Sequence, residues 1–222
     1  MLKVRKIILL LCASLITMSA MAGEDALCTW TTITFDKSFG KWSAGLMSEY
    51  RHRIHEGVSQ MDTYVARPRV AYKALPWLTL RYQMDFAASS SGFKIDFIPE
   101  VTLQHKVGDF SFSFRQRTMT VWNVEKKTDY TVLRSRAKVD YSIPKTPLSV
   151  HFAIEPYWCE FSKDKFAWFQ KARWYAGFDI KLTDGLIFRP EYVCQAYHNH
   201  SGRYDRRTYD DHVIYVTFAI SL

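Results

Sequence analysis

From about residue 41 onward, apolar and polar side chains alternate with a period of two. Leu78, Leu80, Tyr82, Met84 and Phe86 share one face of a segment whose other face carries Trp77, Thr79, Arg81, Gln83 and Asp85. Successive side chains of an extended chain point to opposite sides, so this split predicts an amphipathic β-strand. The pattern recurs in Ile95, Phe97, Pro99, Val101 and Leu103, in Phe110, Phe112 and Phe114, and in Leu148, Val150, Phe152 and Ile154. It closes the chain in His212, Ile214, Val216, Phe218, Ile220 and Leu222. No segment has the apolar spacing of an amphipathic helix.

Two kinds of punctuation separate these segments. Short turn signals stand at 38–40, 74–76, 107–109, 144–147 and 183–185, and longer polar stretches at 54–60, 88–92, 123–128, 160–165 and 198–207. Their alternation predicts ten strands, at about 41–53, 61–73, 77–87, 93–106, 110–122, 129–142, 148–158, 166–182, 186–197 and 209–222. Most exceed the length usual in soluble sheets and suit a tilted strand that crosses a bilayer. The predicted fold is therefore all-β: an antiparallel up-and-down transmembrane β-barrel of about ten strands, with twelve as the alternative. An even count puts both ends of the barrel on one side, with short turns in the periplasm and longer loops outside. Cys28 to Phe35 also alternates, but an eleventh strand breaks that parity. Residues 23–40 are accordingly expected to be a periplasmic or rim segment, and 41–222 the single barrel domain.

The first 22 residues follow another rule. Lys3, Arg5 and Lys6 precede the apolar run Ile7 to Ile16, and Ala20-Met21-Ala22 has the small-x-small form of a secretory cleavage site. This predicts a cleaved signal peptide at 1–22 and export to the outer membrane of a Gram-negative cell. The whole chain carries a formal charge of +8, and without Lys3, Arg5 and Lys6 it keeps 27 basic against 22 acidic residues. An exported basic protein points away from nucleic acid and toward outer-membrane lipids and lipopolysaccharide, with the barrel-assembly machinery as the partner of biogenesis. Beyond the signal, Cys28, Cys159 and Cys194 are too few and too widely spaced for a disulfide scaffold or a CxxC site.

Charge then decides which face meets lipid. One face is nearly free of it. The other collects Glu49, Arg51, Arg53, Arg67, Arg69, Arg81, Asp85, Lys94, Asp96, Glu100, Arg115, Arg117, Arg134, Arg136, Lys138, Asp140, Glu155, Lys171, Arg173, Asp179, Arg189 and Glu191. A basic side chain in contact with lipid costs about 2–4 kcal/mol near the midplane, so this set is expected to line the lumen as a charged network. A soluble lipocalin-like calyx has the reverse polarity, and Gly40-Lys41-Trp42 is a weak echo of its G-x-W. Pro68, Pro99, Pro156 and Pro190 stand beside these charges inside predicted strands, where a missing N–H bends or opens the ladder.

Several of these segments carry a resemblance. Lys41-Trp42-Ser43 leading to Glu49-Tyr50-Arg51, then Arg67-Pro68-Arg69-Val70, Leu133-Arg134-Ser135-Arg136 and Phe188-Arg189-Pro190-Glu191-Tyr192, are similar to the outer-membrane family catalogued as domain of unknown function 2490. The resemblance covers about residues 29–222 and implies a small barrel without supplying an activity.

Candidate chemistry is sparse. His52, His55, Glu56 and Ser59, and His198, His200, Asp205 and Asp210, offer groups for an outer-membrane lipid-modifying enzyme, and His198-x-His200 could hold a metal. Nothing in the spacing fixes a base against a nucleophile. The sequence is read as a narrow or plugged barrel with a structural or binding role or one in the passage of small solutes or anions, without catalytic residues, metal or cofactor.

Overall fold

A computed structural model describes residues 26–55, 58–90, 92–162, 165–199 and 206–222. Its strands are β1 (Ala26–Phe39), β2 (Trp42–His55), β3 (Val58–Leu75), β4 (Leu78–Ser89), β5 (Gly92–Val107), β6 (Phe110–Asn123), β7 (Thr128–Ser142), β8 (Leu148–Ser162), β9 (Lys165–Thr183), β10 (Leu186–Asn199) and β11 (Arg206–Ser221). They close into one barrel in which each strand from β1 to β11 lies antiparallel to its chain neighbours. The barrel shuts where β1 meets β11 in parallel, from Ala26 opposite Asp211 to Asp36 opposite Ser221. The Leu222 N–H adds a bond to the Asp36 carbonyl there, at 2.8 Å.

The ten expected strands are all present, and the expectation for residues 23–40 is corrected. Ala26–Phe39 is a full wall strand, bonded on both flanks. Its alternation explains this: Cys28, Trp30, Thr32 and Thr34 are buried inside, whereas Ile33 and Phe35 face outward. Without it β2 and β11 would each present an open edge. Eleven strands also undo the parity argument. The first described residue of β1 lies at the rim of the 55–58, 89–92, 123–128 and 199–206 connections, and β11 ends at the opposite rim. The contrast between short turns and long loops is reduced as well, because strands continue through most of the polar stretches. β3 already starts at Val58 and β8 runs on to Ser162.

At the turn rim, Gly40 and Gly108 occupy two-residue connections with φ of 63° and 58°. Glycine enters this left-handed region without a Cβ clash, which explains its place in such tight hairpins.

All four prolines point outward and open the ladder on one flank only. Pro68, Pro99, Pro156 and Pro190 stay in register with Leu46, Tyr82, Ala172 and Val216. Toward β4, β6, β7 and β9, by contrast, the pairing skips over them. Opposite Pro156, polar groups on the outer wall satisfy one another: Gln116 Nε2 donates to the Arg134 carbonyl, and Ser135 Oγ accepts from Trp158 Nε1 at 2.9 Å.

Outside, Leu46, Val70, Leu80, Val101, Leu103, Phe112, Phe114 and Phe152 form an exposed apolar belt. Aromatic pairs mark its two margins, with Trp42–Tyr72 and Phe110–Tyr141 at the turn rim and Phe166–Trp168 at the other. On β6, Phe110 and Trp122 are twelve residues apart, about 30 Å along the barrel axis at ordinary strand rise and tilt. An outer surface this apolar, on a barrel whose polar groups turn inward, is suited to a lipid bilayer.

Candidate functional site

Alternation along the nine strands β2 to β10 delivers the predicted lumen set to the inside. Three carboxylates organise most of it. Glu100 on β5 accepts from Arg117 on β6, lies 3.2 Å from Arg81 on β4 and 3.8 Å from Arg115. Arg115 reaches across to Glu155 on β8 at 2.8 Å, which also meets Arg134 at 3.3 Å and accepts from the Tyr175 hydroxyl at 2.7 Å. A continuous ionic chain therefore runs through the lumen from β4 to β8, and the Tyr175 hydroxyl ties its end to β9. Glu191 on β10 forms the third centre. It accepts from His151 Nε2 at 2.8 Å and lies 3.5 Å from Arg136.

Other members of the set pair locally. Arg51 bonds Glu49, which also accepts from Thr32 and Tyr215. Arg67 clasps Asp85, Arg189 clasps Asp179 with two bonds, and Lys138 meets Asp140. Arg69 pairs with Asp36 of β1, and Arg53 with Asp211 of β11 at 3.1 Å. Asp96 lines the lumen and stands opposite Asp85 in the ladder.

Two cavities remain between these groups. One of about 360 Å3 is lined by Arg51, Arg67, Lys94, Arg115, Arg117, Arg134, Arg136, Lys171 and Arg173 against Glu49, Asp85, Asp96 and Glu155, an excess of five basic side chains. The second, about 260 Å3 and nearer the turn rim, has Arg81, Arg115, Arg136, Lys138 and Arg189 against Glu100. Arg115 and Arg136 line both, so their side chains form the partition between the chambers. Low-dielectric walls strengthen the field of charges left unbalanced there.

Sequence reasoning missed part of this site. Asp36 was hidden in the segment taken as a rim piece. His151 shares the polar face of β8 but was not read as a lumen group. The inward aromatics Trp30, Tyr157, Tyr175 and Tyr215 were also missed. Their signal was available, since Lys171, Arg173, Tyr175 and Asp179 have the same parity. Asp140, His151 and Asp179 have ligating atoms within 4.8 Å of one another, as a metal centre would require. Each of the two carboxylates already carries a cation, Lys138 on Asp140 and Arg189 on Asp179, so the trio is part of the ion-paired wall.

Of the groups considered for catalysis, His52 is described and its ring stacks near Tyr50. The side chains of His55, Glu56, Ser59, His198, His200, Asp205 and Asp210 lie outside the described residues.

An apolar outer belt, aromatic margins and a charged interior together define a membrane-spanning β-barrel. The family model described as "Protein of unknown function (DUF2490)" matches residues 27–206, and the chain belongs to that family. Comparison with curated proteins gives no match. Among solved structures, a NanC porin in a rhombohedral crystal form is similar over 88% of this chain and 99% of that one, with 10% sequence identity and a TM-score of 0.48.

Proposed function

We propose that the protein is an outer-membrane barrel that admits small anions into a basic, partly plugged lumen and carries out no catalysis there. The signal-like residues 1–22 support export, and the apolar belt supports contact with outer-membrane lipids and lipopolysaccharide after delivery by the barrel-assembly machinery. The observation that carries the functional reading is the lining of the larger cavity, nine basic side chains against four acidic ones. Pairing governs how freely ions move. The chain from Glu100 through Arg115 to Glu155 occupies the section between β5 and β8, so conduction is small and intermittent, and the cations left over set its sign.

The test is a planar bilayer holding the purified protein between two concentrations of KCl. The expected result is small, flickering current whose reversal potential reports preference for chloride. A wide, steady pore, or a reversal potential of the opposite sign, would overturn the proposal.

A further inference from the structure

The lumen cations are held in two physically different ways. On β3 to β6 the arginines are held by carboxylates, Arg67 by Asp85, and Arg81 and Arg117 by Glu100. On β9, Lys171 and Arg173 have no carboxylate within ion-pair distance among the described residues, and both line the larger cavity. Aromatic rings position them instead. Lys171 Nζ lies 4.6 Å from the Tyr157 ring centre and 5.1 Å from that of Tyr197. The Arg173 guanidinium carbon lies 4.9 Å from the centre of Trp30 and 5.2 Å from that of Tyr157.

The distinction matters chemically. A carboxylate cancels a cation's charge and takes up its N–H donors. A ring face attracts the cation through its quadrupole, yet leaves the charge uncancelled and in-plane donors available. Arg173 Nε donates to Gln195 Oε1, which leaves the terminal nitrogens of its fork. Asp211, on β11 beyond β10, is taken by Arg53, Gln195 and Tyr197. Two residues apart on one strand, Lys171 and Arg173 point to the same side with their Cα atoms about 7 Å apart.

We infer that Lys171 and Arg173 form an oxyanion-binding site on the β9 side of the lumen, held open by Trp30, Tyr157 and Tyr197. This rests on the reading of the lumen as an anion-favouring path. The planar fork matches the two oxygens of a carboxylate or phosphate, and the ammonium adds a point charge beside it. A cavity of about 360 Å3 holds the volume of about twelve waters, room for a small oxyanion and not for a polymer.

The experiment is calorimetric titration of the folded, full-length protein in detergent micelles with inorganic phosphate and, separately, with acetate, at constant chloride. Saturable binding of either anion is expected, and the tighter of the two identifies the preferred source of the oxyanion. Lys171→Gln and Arg173→Gln should each weaken it at least tenfold, whereas Lys171→Arg and the exposed Lys126→Gln should retain it. Heat-dependent gel mobility verifies that each variant is folded. Should Arg173→Gln not fold, the contrast between Lys171→Gln and Lys171→Arg decides. Absence of saturable binding, or equal affinity in the glutamine variants, would overturn the site. Anion-selective current with unaltered binding in these variants would overturn the site alone. Cation-selective current with binding lost in them would overturn the functional reading alone.

Discussion

Glu155, only 1% exposed, joins Arg115 of β6, Arg134 of β7 and Tyr175 of β9 from its own place on β8. Its removal would leave two guanidinium groups without their shared carboxylate in a poorly hydrated interior. Breaking a buried pair in this way costs about 3–5 kcal/mol, mostly as desolvation of the charge left behind. Glu155→Gln is therefore expected to lower the unfolding free energy, measured by urea titration of the protein in micelles, by an amount in that range. Lys126→Ala, on the exposed connection between β6 and β7, should change stability by less than about 0.5 kcal/mol. The same cut through the ionic chain should open the partition between the two chambers. Single-channel current through Glu155→Gln should thus exceed that of the parent protein, and equal current would show that the partition does not limit passage.

At the scale of elements, a strand's fit to its neighbours depends on what it lacks as much as on what it carries. Gly177 of β9 faces the lumen between β8 and β10, where an added Cβ would stand 2.6 Å from the Pro190 carbonyl oxygen and 2.9 Å from His151 Nε2. The backbone contact cannot yield as a flexible side chain would. Gly177→Ala should cost about 1–3 kcal/mol and loosen the His151–Glu191 bond. Amide exchange along β9 and β10 that is faster than in the parent protein is the expected reading. This dependence was not legible in the sequence, because alternation assigns a face and says nothing about close approach across strands. Alternation did reveal ten strands and the sidedness of their charges, since both follow from a period of two and the cost of charge in lipid. It could not pair Arg69 with Asp36 or Arg115 with Glu155, because such contacts depend on register and on which strands stand across the lumen. β1 escaped for another reason: the parity rule outweighed the alternation of Cys28, Trp30, Thr32 and Thr34, which was correct.

The whole molecule is a chain of hairpins closed by one unlike joint. Detergent should be needed to extract it, and the folded form should migrate differently from the boiled form on a gel, as expected of a wall with every strand bonded on both flanks. Cys28 stands opposite Val213 in the β1–β11 ladder, and both side chains are buried inside. Val213→Cys should therefore permit an oxidative crosslink across the joint, visible as altered mobility after boiling without reductant. That joint also has a consequence in time. Every other pairing unites strands consecutive in the chain, whereas Ala26 and Asp211, 185 positions apart, come together only when the wall is nearly built. Local hairpins form early and distant contacts late, because closing a long loop costs more chain entropy. During refolding into micelles, the Cys28 crosslink in Val213→Cys should appear only after the strand circular dichroism has reached most of its final amplitude. The parallel joint is then the last event in the life of the folding chain, and until it closes the barrel is an open sheet with two unsatisfied edges.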